Sequence, residues 1–170
     1  MNDLAAPAVD VSSWTARTWV AVIMQRSVIE SRWQSEAWEP LGILPDYPAG
    51  EPRVLLDCPA LTQFLYPGFQ IVLQRAEAQG YFHNVSTAAP NVFVLWRMEG
   101  GRAVPHYVTV SYDEASRWMD GGAQVDPVAM PHAMRDWVRE FVERHYQPEP
   151  KKRRRPQSFL APKDRGPSDG

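Results

Sequence analysis

Cysteine is almost missing from this chain: Cys58 stands alone among 170 residues. One thiol excludes an intramolecular disulfide and any zinc site built on paired thiolates, so the fold needs no oxidising compartment. Long apolar runs are missing too. The longest, Trp19 to Met24, is six residues, against ~20 for a membrane-spanning helix and roughly 7–15 for the core of a secretory signal. Those absences predict a soluble, intracellular, cytoplasmic protein. Histidine is scarce, and His83, His106, His132 and His145 are spread so that none lies three to five residues from another. A metal centre on histidine pairs is therefore not expected.

Catalytic signatures are equally thin. Nothing around Cys58, which precedes Pro59 between short apolar stretches, marks an activated thiol, and it reads as a small semi-buried hydrophobe. The Gly-x-Ser-x-Gly elbow of a serine hydrolase does not occur. Gly100-Gly101 and Gly121-Gly122 sit where a hairpin turn and a helix end would put them, and neither forms a phosphate cradle between a strand and a helix. Asp113 and Glu114 suit the N-terminus of a helix, where negative charge is favoured. No catalytic, cofactor-binding or metal-ligating residue is expected, and no cofactor.

What is present argues for one folded domain. Hydrophobic residues make up 44% of the chain and charged residues 22%, which excludes wholesale disorder. Seven tryptophans supply much buried area per residue, and sixteen prolines keep regular elements short. Charge is unevenly placed. Between Pro148 and Gly170, seven basic residues face three acids, a net +4, which leaves −6 of the whole chain's −2 on residues 1–147.

Patterning divides the chain into a leader (1–16), an α+β domain (17–147) and a disordered basic tail (148–170). The β-branched run Thr18 to Gln25 and the segment Trp38 to Leu44 read as a hairpin with a long connection, pinned by Trp33 and Trp38. Short strands are expected at Arg53–Leu56, Leu61–Tyr66 and Phe69–Gln74, with Pro67-Gly68 as a turn. The stretch 75–84 reads as a short helix or an irregular crossover. Asn91–Met98 and Ala103–Val110 form the clearest hairpin, with Glu99 opposite Arg102 and an edge or bulge at Pro105. Ser111 followed by Glu114 is a capping pattern for a helix ending at Gly121-Gly122. Gln124–Met130 is extended. Pro131 opens the best helix, with Met134, Trp137, Val138, Phe141, Val142 and His145 on one stripe. His145 there reads as a packed, hydrogen-bonded side chain. The sum is an antiparallel sheet or partial barrel of about five to seven short strands with the C-terminal helix packed on it.

Two features are candidates for contact with other molecules. Trp33 and Trp38 flank a polar connection, where an aromatic is less surely core than Trp96 or Trp137; both can also simply cover the sheet. The run Lys151, Lys152, Arg153, Arg154 and Arg155 suits an acidic partner, though no aromatic interleaves with it for base stacking.

Several strings together resemble one family: VAVIMQRSVIESRWQSEAWEPLGILP (Val20 to Pro45), FQIVLQRAEAQGYFHNV (Phe69 to Val85), NVFVLWR (Asn91 to Arg97), VTVSYDEA (Val108 to Ala115) and VDPVAMPHAMRDWVREFVERH (Val125 to His145). They are similar to a domain-of-unknown-function family of small proteobacterial proteins encoded beside molybdenum-dependent formate dehydrogenase. Some members are labelled molybdopterin-guanine dinucleotide biosynthesis protein A. The resemblance spans residues 19–146 and implies a role near formate oxidation. Taken with the missing active-site motifs and a Trp-rich domain ending in a charged tail, it leads to the expectation of a non-catalytic accessory protein that contacts formate dehydrogenase subunits or maturation factors. A nucleotidyltransferase of molybdenum cofactor biosynthesis is the enzymatic alternative, yet the glycine-rich, Arg/Lys-bearing opening that grips GTP and magnesium is missing. A nucleic-acid-binding regulator using the Lys151–Arg155 run is the third reading.

Overall fold

The computed structural model describes residues 16–150. The leader before Ala16 and the basic run Lys151–Arg155 lie outside the described residues.

Among the described residues, seven strands form two antiparallel sheets. The first joins β1 (Ala16–Val28), β2 (Glu36–Pro45), β3 (Arg53–Cys58) and β4 (Leu61–Leu73) in the order β2-β1-β4-β3. The second joins β5 (Asn91–Glu99), β6 (Arg102–Thr109) and β7 (Val125–Ala129) in the order β6-β5-β7. A one-turn 3₁₀ segment, Arg75–Glu77, leads into α1 (Ala78–Val85); α2 (Tyr112–Asp120) follows β6, and α3 (His132–His145) follows β7. This is the expected α+β class.

Period-two burial explains how the sheets meet. Val20, Val22 and Met24 of β1 point into one core with Val92, Val94 and Trp96 of β5. Phe93 and Leu95, on the opposite face of β5, are also buried, and Phe93 meets Tyr112 of α2 edge-on, ring centroids 6.1 Å apart. A strand covered on both faces reads as a continuous apolar run, as Val92 to Trp96 does. Met134, Val138, Phe141 and Val142 of α3 close the same core, and Phe141 packs edge-on against Tyr81 of α1.

The strands β1 and β4 are longer than their patterning indicates, at 13 residues each. Pro67-Gly68 is the main correction: it is no turn, and β4 runs straight through it. Val20 pairs with Phe69 and Val22 with Tyr66, so Ala21 alone opposes both Pro67 and Gly68 in a bulge. Gly68 takes φ +96° there, and the proline's missing N–H is tolerated where the ladder is already interrupted. The polar stretch after Gln25 does not break β1 either, because Arg26, Ser27 and Val28 pair with Trp38, Ala37 and Glu36.

The β5–β6 hairpin matches its expectation. Glu99 opposes Arg102, and Gly100 and Gly101 both take positive φ (56° and 78°), as a two-residue I′ turn demands. Leu95 pairs with Tyr107 and Trp96 with Pro105, leaving His106 as the extra residue of a bulge on an edge strand. Ser111 caps α2, its Oγ accepting from Glu114 N at 3.1 Å. The reciprocal arm is relayed: Thr109 Oγ1 accepts from Ser111 N and donates to Glu114 Oε2. Among the described residues, no helix is long and apolar enough to cross a membrane.

Candidate interaction site

The connection between β1 and β2, together with the start of β2, forms one wall of an open groove. Its other wall comes from β5 and the approach to β7. The groove encloses about 690 Å³. Its aromatic lining is Trp33, Trp38 and Trp96, extended by Met98; its acidic lining is Glu36, Glu39 and Asp126. Among the described residues, no lysine or arginine lines it.

Each tryptophan is held differently. Trp33 is 91% exposed, and its backbone N–H donates to Ser31 Oγ at 3.3 Å within a short polar loop. It therefore pins nothing, contrary to its expected part in fastening the hairpin. Trp38 does pin: on β2, half-buried, it stacks on Phe64 of β4 with centroids 5.8 Å apart and planes 24° from parallel. The guanidinium of Arg102 lies 5.0 Å from the centroid of Phe64 as well, which ties the β5–β6 turn to the first sheet. Trp96 is buried, with 9% exposed. Its indole N–H donates to Asp126 Oδ2 at 2.6 Å, and Gln124 Nε2 donates to the same oxygen at 3.1 Å.

The acids differ in how they are compensated. Glu36 accepts from the Arg26 guanidinium at 2.8 Å. Glu39 and Asp126 enter no ion pair among the described residues. Of the expected contact residues, the fold thus brings Trp33 and Trp38 onto one groove. It adds Trp96, Met98, Glu39 and Asp126. Trp96 reads from sequence as core, and it is core; only the pairing of β5 with β7 turns its edge toward Asp126.

A second polar cluster sits where α1, α2 and β6 meet. Ser111 Oγ donates to Glu77 Oε2 at 2.8 Å, and Arg117 donates to Glu77 Oε1 at 2.6 Å. The Ser111 side chain is fully buried, and its hydroxyl fastens α2 to the segment before α1. Tyr81 lies beside it, its phenol accepting from Gln74 N at 3.0 Å. Burial pushes that phenol up to about 12, with Glu77 and Glu114 adding to the rise and the Gln74 bond opposing it.

The histidines are dispersed in space as in sequence. His83 pairs with Asp113 at 2.9 Å and His106 with Glu99 at 2.5 Å; His145 packs on Phe141 with ring centroids 4.5 Å apart. Among the described residues, no three His, Cys, Asp or Glu side chains are grouped to hold a metal ion. Cys58 differs from its expectation. It is exposed, because β3 is an edge strand with every residue open to solvent, and its thiol donates to the Leu61 carbonyl at 3.2 Å.

No curated protein and no solved structure matches the chain. A family model described as protein of unknown function (DUF3305) matches residues 19–155, and the chain belongs to that family.

Proposed function

We propose that the protein is a non-catalytic accessory factor that assists assembly or maturation of a molybdenum-dependent formate dehydrogenase by protein–protein contact. The groove between Trp33, Trp38 and Trp96 is the contact. The observation that carries this reading is Trp33, a large apolar side chain 91% exposed at the rim of a groove with two further indoles. A free tryptophan of that exposure costs solubility and contributes little to the fold. Docked against a partner it would bury on the order of 150 Å², worth about 4 kcal/mol before the ordering costs of association. Such anchors dominate binding surfaces. The client is suggested by the resemblance of Val20–Pro45, Phe69–Val85 and Val125–His145 to proteins encoded beside the dehydrogenase.

Affinity capture tests this. Tagged full-length protein, expressed with the dehydrogenase, should enrich its subunits or maturation factors, and Trp33→Ala should lose most of that enrichment. Equal capture by both chains, or no dehydrogenase component with either, overturns the reading.

A further inference from the structure

We propose that the groove takes a lysine- or arginine-bearing extended segment of its client, with the cation lodged between the indoles and the carboxylates of Glu39 and Asp126. This rests on the groove being the contact surface and names the chemistry of what enters it. Among the described residues, every charged side chain lining the groove is acidic, and Glu36 is already engaged by Arg26. Glu39 and Asp126 line the groove and enter no ion pair among the described residues. Both hydrogen bonds to Asp126 fall on Oδ2, so its carboxylate is held in place by Trp96 and Gln124 before any ligand arrives.

The alternatives fit worse. A purely apolar segment seated on the three indoles would strip water from two carboxylates and return no partner, which costs more than the apolar contact gains at that point. An acidic segment meets like charge. A cation satisfies both halves of the lining at once, because indole faces attract positive charge and the Asp126 carboxylate lies against the Trp96 indole N–H. Trp38 is stacked on Phe64, so its ring is preset for the cation, while the buried Trp96 acts through Asp126, whose carboxylate its indole N–H holds.

The test uses full-length protein and two fluorescein-labelled peptides of alternating lysine and glycine, one with every lysine acetylated. The lysine peptide should bind at least about tenfold tighter than its acetylated twin, with affinity falling as salt rises. Trp33→Ala and Glu39→Gln should each weaken it by about three- to tenfold, without a change in thermal midpoint. Equal binding of the two peptides, or binding indifferent to both substitutions, overturns the proposal. The chain's own Lys151–Arg155 run has the same chemistry. Full-length protein with those five residues changed to glutamine therefore forms a separate arm. If only that variant binds the lysine peptide, the native occupant is the chain's own tail and the client assignment falls. Trp33-dependent capture of dehydrogenase without lysine preference would sink this proposal and leave the accessory reading standing. Lysine preference without capture supports the proposal while removing that client.

Discussion

Trp33 and Trp38 sit five positions apart and face the same groove, yet they answer to different forces. Removing the Trp33 ring deletes almost no buried area, so Trp33→Ala should leave unfolding free energy within about 0.5 kcal/mol of the parent while capture is lost. Trp38→Ala removes the partner of Phe64 and should cost about 2–4 kcal/mol in urea melts. Equal destabilisation by the two would contradict the packing described above. Gly80 belongs to the same scale. A Cβ built there would stand 2.1 Å from Ser111 Oγ, with Asp113 Cβ and Ser111 Cβ at 3.2 Å. Gly80→Ala must push α1 away from the start of α2, and a loss of about 1–3 kcal/mol is expected. The sequence shows only that this glycine weakens a helix; the reason lies across the fold, where the Ser111 side chain fills the space a Cβ would need.

Individual elements show how local chemistry and long-range pairing divide the work. Ser111 with Glu114 three residues on, the paired glycines after Glu99, and the stripe from Met134 to Val142 are legible because neighbours within a few residues enforce them. Pro67-Gly68 is not, since the same dipeptide suits a turn or a bulge, and only the pairing of β4 with β1 selects between them. Two measurements follow. Ser111→Ala removes the cap on Glu114 N and the bond to Glu77 together, and should lower stability by about 1–2 kcal/mol. Gly100→Asn keeps a residue that tolerates φ of +56° while narrowing the unfolded ensemble, so the hairpin should gain about 0.5 kcal/mol, read as a raised thermal midpoint. A lowered midpoint would mean that the turn is not of the I′ kind.

For the molecule as a whole, the buried phenols set a limit at alkaline pH. The Tyr81 phenol is raised from 10.0 to about 12, and burial raises Tyr66 as well, with Arg102 opposing and Glu99 assisting. Below pH 10 folded and unfolded chains both keep the proton, and the contribution of burying Tyr81 is fully present. Above it the unfolded chain ionises first, so stability falls with rising pH and that contribution is gone by about 12. Urea titrations between pH values of about 9 and 11 should show the decline, and Tyr81→Phe should flatten most of it. A decline equally steep in the variant would place the titrating group elsewhere. The same residue-to-molecule logic governs the groove. Composition and periodicity, which act over a few residues, dictate an α+β domain with its hairpin, its capped helix and its amphipathic end, and they single out Trp33 and Trp38 as aromatics in polar surroundings. The meeting of those rings with Trp96, Glu39 and Asp126 depends on which strands pair and how two sheets face each other. Those contacts join residues up to about a hundred positions apart, and no local pattern encodes a distance of that kind.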